Sequence, residues 1–351
     1  MVKVFKVIAA VLILAALAVL LGALVGNRGP SSSQQSPTQK DWTKKYGVFS
    51  IKPDGSDLKL IYQSDSQLNH LHVSPDSTKI LFSEFTNDLN GDGTANEADL
   101  FSAEVGVMNI DGTGRKLLTG PDGNIDAVPV WSPDGTKILF ASSRGTPAGK
   151  LNLDLYIMNS AGKSVRKLTA TPEVIEADPH WIGKKIAFAR LVLGENQQAI
   201  WMMDSDGRDA KQVTFPSFPN RSKAPFGFGD FDPKISPDGK KIASYRHLDD
   251  NLKVAGLLIG NYDLFIINTD GTERKVLTNT PSIAEIMPTW SPDGKKLAFW
   301  VLWKKGMGLR IINADGTGER EVQIDLGQDV GAEMPSWFPD GQRLIFSAQK
   351  F

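Results

Sequence analysis

The chain has 351 residues, with 39 basic and 40 acidic side chains and no cysteine. The near balance of charge argues against a nucleic acid or another polyanion as ligand. The lack of cysteine excludes disulfides, thiolate metal sites, thiol catalysis and a lipid anchor on cysteine.

Lys3 and Lys6 precede an apolar run from Val7 to Val25. About twenty apolar residues cross a bilayer as a helix, and the apolar core of a secretory signal is shorter. Ala23-Leu24-Val25 makes a poor cleavage site. Residues 1–26 are therefore expected to be one transmembrane helix, with its basic end in the cytoplasm and the remainder outside. Cleavage is the alternative, and would leave a secreted or periplasmic protein. Residues 27–41 hold little apolar content and are expected to be a flexible linker.

Residues 42–351 carry a repeat. WSPDGTKILF (131–140) recurs as VSPDSTKILF (73–82), ISPDGKKIAS (235–244), WSPDGKKLAF (290–299) and WFPDGQRLIF (337–346), with a shortened copy, WIGKKIAF (181–188). Each stretch ends a strand, turns on Pro-Asp-Gly, and returns with alternating apolar residues. Between these copies lies a second strand–turn–strand unit, such as YIMNSAGKSVRKLT (156–169) and FIINTDGTERKVLT (265–278). Four strands, A to D, thus recur about every 50 residues, a period that marks a propeller or a solenoid. The expected fold is all-β: a six-bladed β-propeller of four-stranded antiparallel blades. The chain opens on strands C and D (48–62) and closes on A and B (335–347), so its two ends are expected to complete one blade.

These motifs resemble the TolB-like propeller repeat, over roughly residues 46–348. The resemblance implies an extracytoplasmic binding scaffold whose ligand is a protein, a peptide or a glycan, with no particular partner named.

The A–B and C–D turns are short, so one face is plain. The variable B–C and D–A loops fall on the other face, where binding is expected. One of these loops contains DLNGDGTANEAD (88–99). Asp88, Asn90, Asp92, Thr94, Asn96 and Asp99 fall at the ligand spacing of a calcium loop, with Gly93 at its sharp turn. The run resembles EF-hand and dockerin loops, except that Asp stands at the last position where they carry Glu. A structural calcium ion is expected there.

His72 and His180 share one repeat position with Val130, Lys234, Thr289 and Ser336. If that position faces the central channel, these side chains line it together. Asp126, Glu176, Asp230 and Glu285 also recur in register, as expected hydrogen-bonding groups at strand starts. The Phe-rich segment 215–231 fits either an exposed contact or a small satellite core. Trp300 and Trp303 fit either packing or a ligand platform. No nucleophile elbow or zinc-protease motif occurs. The alternative function is an envelope hydrolase or polysaccharide lyase acting through channel groups around His72 and His180.

Overall fold

The structure, a computed structural model, describes residues 42–85, 103–120, 122–147, 152–192, 197–216, 228–249, 252–254, 257–258, 260–303, 306–327 and 330–350. The predicted anchor (1–26), the linker (27–41) and the calcium loop (88–99) lie outside the described residues. Every regular element described is a strand, and none of the described residues forms a helix able to cross a membrane.

The strands follow in fours after an opening pair, β1 (Tyr46–Ile51) and β2 (Lys59–Ser64). Next come β3 (Gln67–Val73), β4 (Lys79–Phe85), β5 (Ala103–Asn109) and β6 (Lys116–Leu117). β7 (Asp126–Trp131), β8 (Lys137–Ser142), β9 (Asp154–Asn159) and β10 (Arg166–Lys167) repeat the pattern. So do β11 (Val174–Ile182), β12 (Lys185–Val192), β13 (Gln197–Asp204) and β14 (Lys211–Gln212). β15 (Phe228–Ile235) and β16 (Lys241–Asp249) precede a small ribbon, β17 (Lys253–Val254) and β18 (Leu257–Leu258). After it come β19 (Asn261–Asn268) and β20 (Lys275–Val276). β21 (Ile283–Trp290), β22 (Lys296–Trp303), β23 (Gly306–Asn313) and β24 (Arg320–Glu321) precede the final pair, β25 (Val330–Trp337) and β26 (Leu344–Lys350).

The first and last pairs do form one sheet, in the order β2-β1-β26-β25. Tyr46 pairs with Gln349 and Ile51 with Leu344. Two further sheets have four strands. A twelve-stranded sheet is three antiparallel runs of four, joined by short parallel pairings of β13 with β15 and β19 with β21. The inner strands β3, β7, β11, β15, β21 and β25 each touch the next, and β25 touches β3, which gives a closed, propeller-like ring.

The turn chemistry explains the local regularity. In Ser132-Pro133-Asp134-Gly135 the Ser132 hydroxyl donates to Asp134 (2.6 Å) and accepts from Lys137 N–H (2.9 Å). Gly135 N–H returns to the Ser132 carbonyl at 2.8 Å, with Gly135 at φ 69°. The Ser132 hydroxyl first, then the N–H and hydroxyl of Thr136, hold the Asp134 carboxyl down to about 2. After each turn the returning strand is buried on both faces, so that β8, for example, is exposed only at Lys137. Phe82, Phe140, Phe188, Phe299 and Phe346 are fully buried at one register position. Space for Phe82 comes from Gly106 on the neighbouring strand, where a Cβ would lie 2.2 Å from the ring.

The cores run between units rather than within them. Leu81, Val105 and Val107 of β4 and β5 pack with Trp131, Phe140 and Tyr156 of the next unit. Five of the outer strands are short and basic: β6, β10, β14, β20 and β24 have two residues each, and each carries Lys or Arg, whereas β2 at the edge of the closing sheet has six residues.

The register acids are paired within their own sheets. Arg190 donates twice to Glu176 (3.0 and 2.6 Å), directly across β11 and β12. Arg246 grips Asp230 with two bonds (2.5 and 2.7 Å), and Arg144 pairs with Asp126. Glu285 faces Val301 instead, and burial first of all pushes its carboxyl up to about 7.

Glu333 is also fully buried. Gln67 donates to one oxygen at 3.3 Å, the other has no partner, and burial raises the group to about 8. Folded Glu333 keeps a proton that the unfolded chain releases above its ordinary value near 4.5. Stability is therefore full below that value and is lost as pH rises towards about 8. Glu333→Gln is expected to flatten that part of a melting temperature–pH curve. An unchanged slope would remove Glu333 as its cause.

Candidate functional site: the channel mouth

A bulge shapes every inner strand. The register slips by one residue at Asn69/His72, Ala127/Val130, Ala177/His180, Phe231/Lys234, Ile286/Thr289 and Glu333/Ser336. At each slip one residue takes a left-handed φ: His70 (53°), Val128 (56°), Asp178 (52°), Asp232 (47°), Met287 (53°) and Met334 (52°). A β-branched valine rarely adopts this conformation, so its presence at the shared register is imposed by the ring. A bulge re-aims side chains, and here it gives the channel two successive tiers.

The tiers line a cavity of about 350 Å³. One tier contributes His70, Val128, Asp232, Met287 and Met334. The next contributes His72, Val130, His180, Lys234, Thr289 and Ser336, the shared repeat position identified in the sequence. Pro75, Pro133, Pro237, Pro292 and Pro339 of the A–B turns surround the opening. The third A–B turn is shortened to Gly183 and leaves a break in this proline collar. The cavity therefore opens on the plain face, not among the variable loops where binding was expected.

Tryptophans brace the wall. Trp131 donates its indole N–H to the His72 carbonyl (3.2 Å), Trp290 to Lys234 (2.8 Å) and Trp337 to Thr289 (3.2 Å), each across a unit boundary. Trp181 instead bonds its own turn, at Gly183 (3.1 Å). These rings are almost fully buried, so they set the wall's shape rather than offering a free stacking face.

The two register histidines are fixed by backbone. Trp131 N–H donates to His72 Nδ1 at 2.9 Å, and Ile235 N–H to His180 Nδ1 at 3.0 Å. An accepting Nδ1 places the remaining proton on Nε2, so each neutral ring is a donor at its other nitrogen. Burial and, second, the Lys234 charge hold His72 down to about 4 and His180 well below its usual range. His70 is pushed to about 3 by the same causes, in the same order.

The charged part of the cavity lining comes from β15. Lys234 donates to Asp232 at 2.5 Å. Asp178 stands at the bulge register of β11, and its carboxyl is raised to about 7, first by burial and then by the Asp232 charge, with Lys234 opposing. Sequence reading missed Asp178 and Asp232. Their signal was a register-matched Asp-Pro, in EADPHW and FDPKIS, which only the bulge makes meaningful.

Other expected sites resolve differently. Trp300 is fully buried and Trp303 is partly buried against the same core. Of the Phe-rich segment, Phe228 and Phe231 are buried and Phe215 is 75% exposed, while 217–227 lie outside the described residues. A second cavity, of about 380 Å³, lies beside Asp154 and Lys167, whose charges meet at 2.7 Å. Among the described residues no cluster of three or more His, Asp or Glu is placed to hold a metal.

Ring closure, a bulged inner wall and a mouth on the plain face define a β-propeller with an accessible central channel. A family model for the TolB β-propeller domain matches residues 33–259, and the chain belongs to that family. A TolB homolog from Chlorobaculum tepidum is 27% identical over 233 residues, covering 62% of this chain and 48% of that protein. The Tol-Pal system protein TolB of Rhizorhabdus wittichii is 40% identical over 77 residues, 22% of this chain and 16% of that one. The chain thus spans about half or less of the length of these curated relatives. Among solved structures, a protein proposed to be TolB from Agrobacterium tumefaciens superposes with a TM-score of 0.65 at 17% identity, covering 88% of this chain and 98% of that one. An oligogalacturonate lyase from Vibrio parahaemolyticus gives 0.50 at 14% identity, covering 76% and 72%. At these identities the structural likeness speaks for fold alone.

Proposed function

We propose that the protein is a six-bladed, membrane-anchored, extracytoplasmic binding scaffold that receives a segment of a protein or peptide partner at the channel mouth. The observation that carries this reading is the cavity itself: a proline collar over braced walls, with valines and methionines lining it together with histidines, Asp232 and Lys234. Such a mixed, largely preformed concavity suits an extended segment with alternating chemistry. A relative named for the Tol-Pal system supports a protein partner over a glycan.

The chain's entry supports an outward orientation. Trp42 seals the start of the closing sheet, edge-on to Phe49 at 5.1 Å with Lys350 over its ring at 4.6 Å. That end of β1 lies on the face opposite the A–B turns. An anchor continuing from it would hold the mouth away from the membrane. A calcium ion held by the 88–99 loop would order the face on which the linker enters.

The alternative of a hydrolase or polysaccharide lyase needs a general base in the channel. His72 and His180 do not fit that role, because each spends its accepting nitrogen on a backbone N–H.

A photoreactive residue at Ser336, in the full chain in its own membranes, is expected to crosslink a protein partner. Thr289→Trp, which fills the mouth, is expected to remove that product with the melting temperature preserved, and chelation of calcium to weaken it less. Crosslinks that persist with the mouth filled, or that arise only from a probe at Phe215, would return binding to the variable-loop face.

A further inference from the structure

We infer that His72, His180 and Lys234 form a subsite in the channel mouth that takes a carboxylate of the entering segment, carried either by a side chain or by the chain terminus. The inference rests on the channel-binding reading above and adds the chemistry of what enters.

The three side chains hold one register position, just past the bulge on β3, β11 and β15, and all three line the cavity. The histidines reach sideways to the next unit. His72 Nδ1 accepts the Trp131 N–H at 2.9 Å, and His180 Nδ1 accepts the Ile235 N–H at 3.0 Å. A nitrogen that faces an N–H cannot carry a proton of its own, so in each ring the proton stays on Nε2. Nε2 lies across the ring from Nδ1, on the side away from that backbone contact. Neither Nε2 has a hydrogen-bond partner among the described residues, and neither is sealed from solvent, in rings that are only part-buried.

This arrangement fixes what the pair can do. A protonated Nε2 cannot ligate a metal or accept a proton; it can only donate. Two neutral donors and an ammonium therefore share one tier of the cavity. Lys234 donates to Asp232 at 2.5 Å, which uses one of the three N–H groups of an ammonium. Asp232 belongs to the other tier, at the left-handed bulge residue. The field of the lysine also reaches the histidines: after burial, its charge is what holds His72 and His180 below the usual histidine range.

A carboxylate fits this set. It accepts at both oxygens, donates nothing, and makes hydrogen bonds roughly twice as strong as neutral ones. An ammonium or guanidinium would meet donors on this tier. An amide can accept from the histidines, but brings no charge for the lysine to act on. Val130 stands between the two histidine strands, and Met287 and Met334 line the next tier, so an apolar group beside the carboxylate suits the cavity.

Titration of the full chain in detergent, followed by NMR of its isotope-labelled histidine rings, tests this; the chain has four histidines. His72 and His180 are expected to show a proton on Nε2 and none on Nδ1. Their Nε2 signals are expected to move with N-acetyl-leucine, whose terminal carboxylate is free, or with N-acetyl-glutamate amide, whose carboxylate is on the side chain. The tighter of the two identifies the source. N-acetyl-leucine amide is expected to bind about tenfold more weakly than that probe, the gap between a charged and a neutral hydrogen bond. His72→Asn with His180→Asn keeps an acceptor for each backbone N–H but lacks Nε2, and is expected to weaken the better carboxylate probe by about tenfold. Spectra and affinities of the unaltered protein decide the idea even if that variant folds poorly. Rings protonated at Nδ1, or equal binding of carboxylate and amide probes, overturn the carboxylate subsite and leave the channel reading standing. If no probe moves the histidine signals the subsite is also overturned, and the crosslinking result then decides separately whether the channel binds anything.

Discussion

Removal of residues 42–62 is expected to abolish cooperative unfolding of the whole domain. The deletion takes β1 and most of β2, and leaves β25 and β26 as a two-stranded ribbon. Trp42, Tyr46, Val48, Phe49 and Ile51 are each at most 2% exposed and would all be lost. Burial of a large apolar side chain contributes roughly 1.5–3 kcal/mol, so five of them rival the 5–15 kcal/mol that typically holds a whole domain folded. The damage spreads, because Val48 and Ile345 of the closing sheet share a core with Leu68, Val73, Ile80 and Phe82 of the next unit. Arg343 would also lose its bonds to Ser50 (3.2 Å) and Asp57 (2.5 Å) across the closure. Calorimetry of the truncated chain should show no sharp transition. A melting temperature within a few degrees of the parent would mean that the ring is stable without its closing pair.

Arg190→Met is expected to destabilise the protein by about 3–5 kcal/mol, the cost of leaving a buried charge alone. Glu176 is fully buried and keeps only the hydroxyls of Thr169 and Thr171 once the guanidinium is gone. Arg190 also lies 4.0 Å from the centre of the Trp201 ring, so its stem and charge are both held in place. The double substitution Glu176→Leu with Arg190→Met should recover most of the loss, since a pair of apolar groups leaves no orphaned charge. Urea denaturation of the two single variants and the double variant gives the coupling. If Arg190→Met alone stays within about 1 kcal/mol of the parent, Glu176 is solvated or protonated and the pair does not carry this load.

Both predictions concern long-range partners, and the sequence was uneven about these. It showed that the ends of the chain are complementary, because strands C and D opened it and A and B closed it. It also showed the acids recurring in register. It did not show their partners. Arg190 and Arg246 lie on the returning strand directly opposite Glu176 and Asp230, and that pairing becomes visible only once the bulge has set the register. The hydrogen bonds expected of these strand-start acids are, for Asp126, Glu176 and Asp230, ion pairs within the same sheet.

What the sequence determined by itself is what short-range physics controls. Ser-Pro-Asp-Gly closes its own turn with bonds spanning five residues or fewer. The apolar run after each turn makes the returning strand a buried one, and the repeat of both decides an all-β array. The site belongs to the tertiary structure. Channel-lining side chains such as His72, His180 and Lys234 are more than fifty residues apart in sequence, and no local interaction brings them together. Ring closure places them, and the bulge in each inner strand turns them inwards. The protonation of Asp178 and the unprotonated Nδ1 of His72 and His180 depend on burial and on neighbours from other strands. The same closure places the channel cavity on the plain face: short turns, brought together around an axis, form a collar, and the long variable loops are not needed to make a concavity.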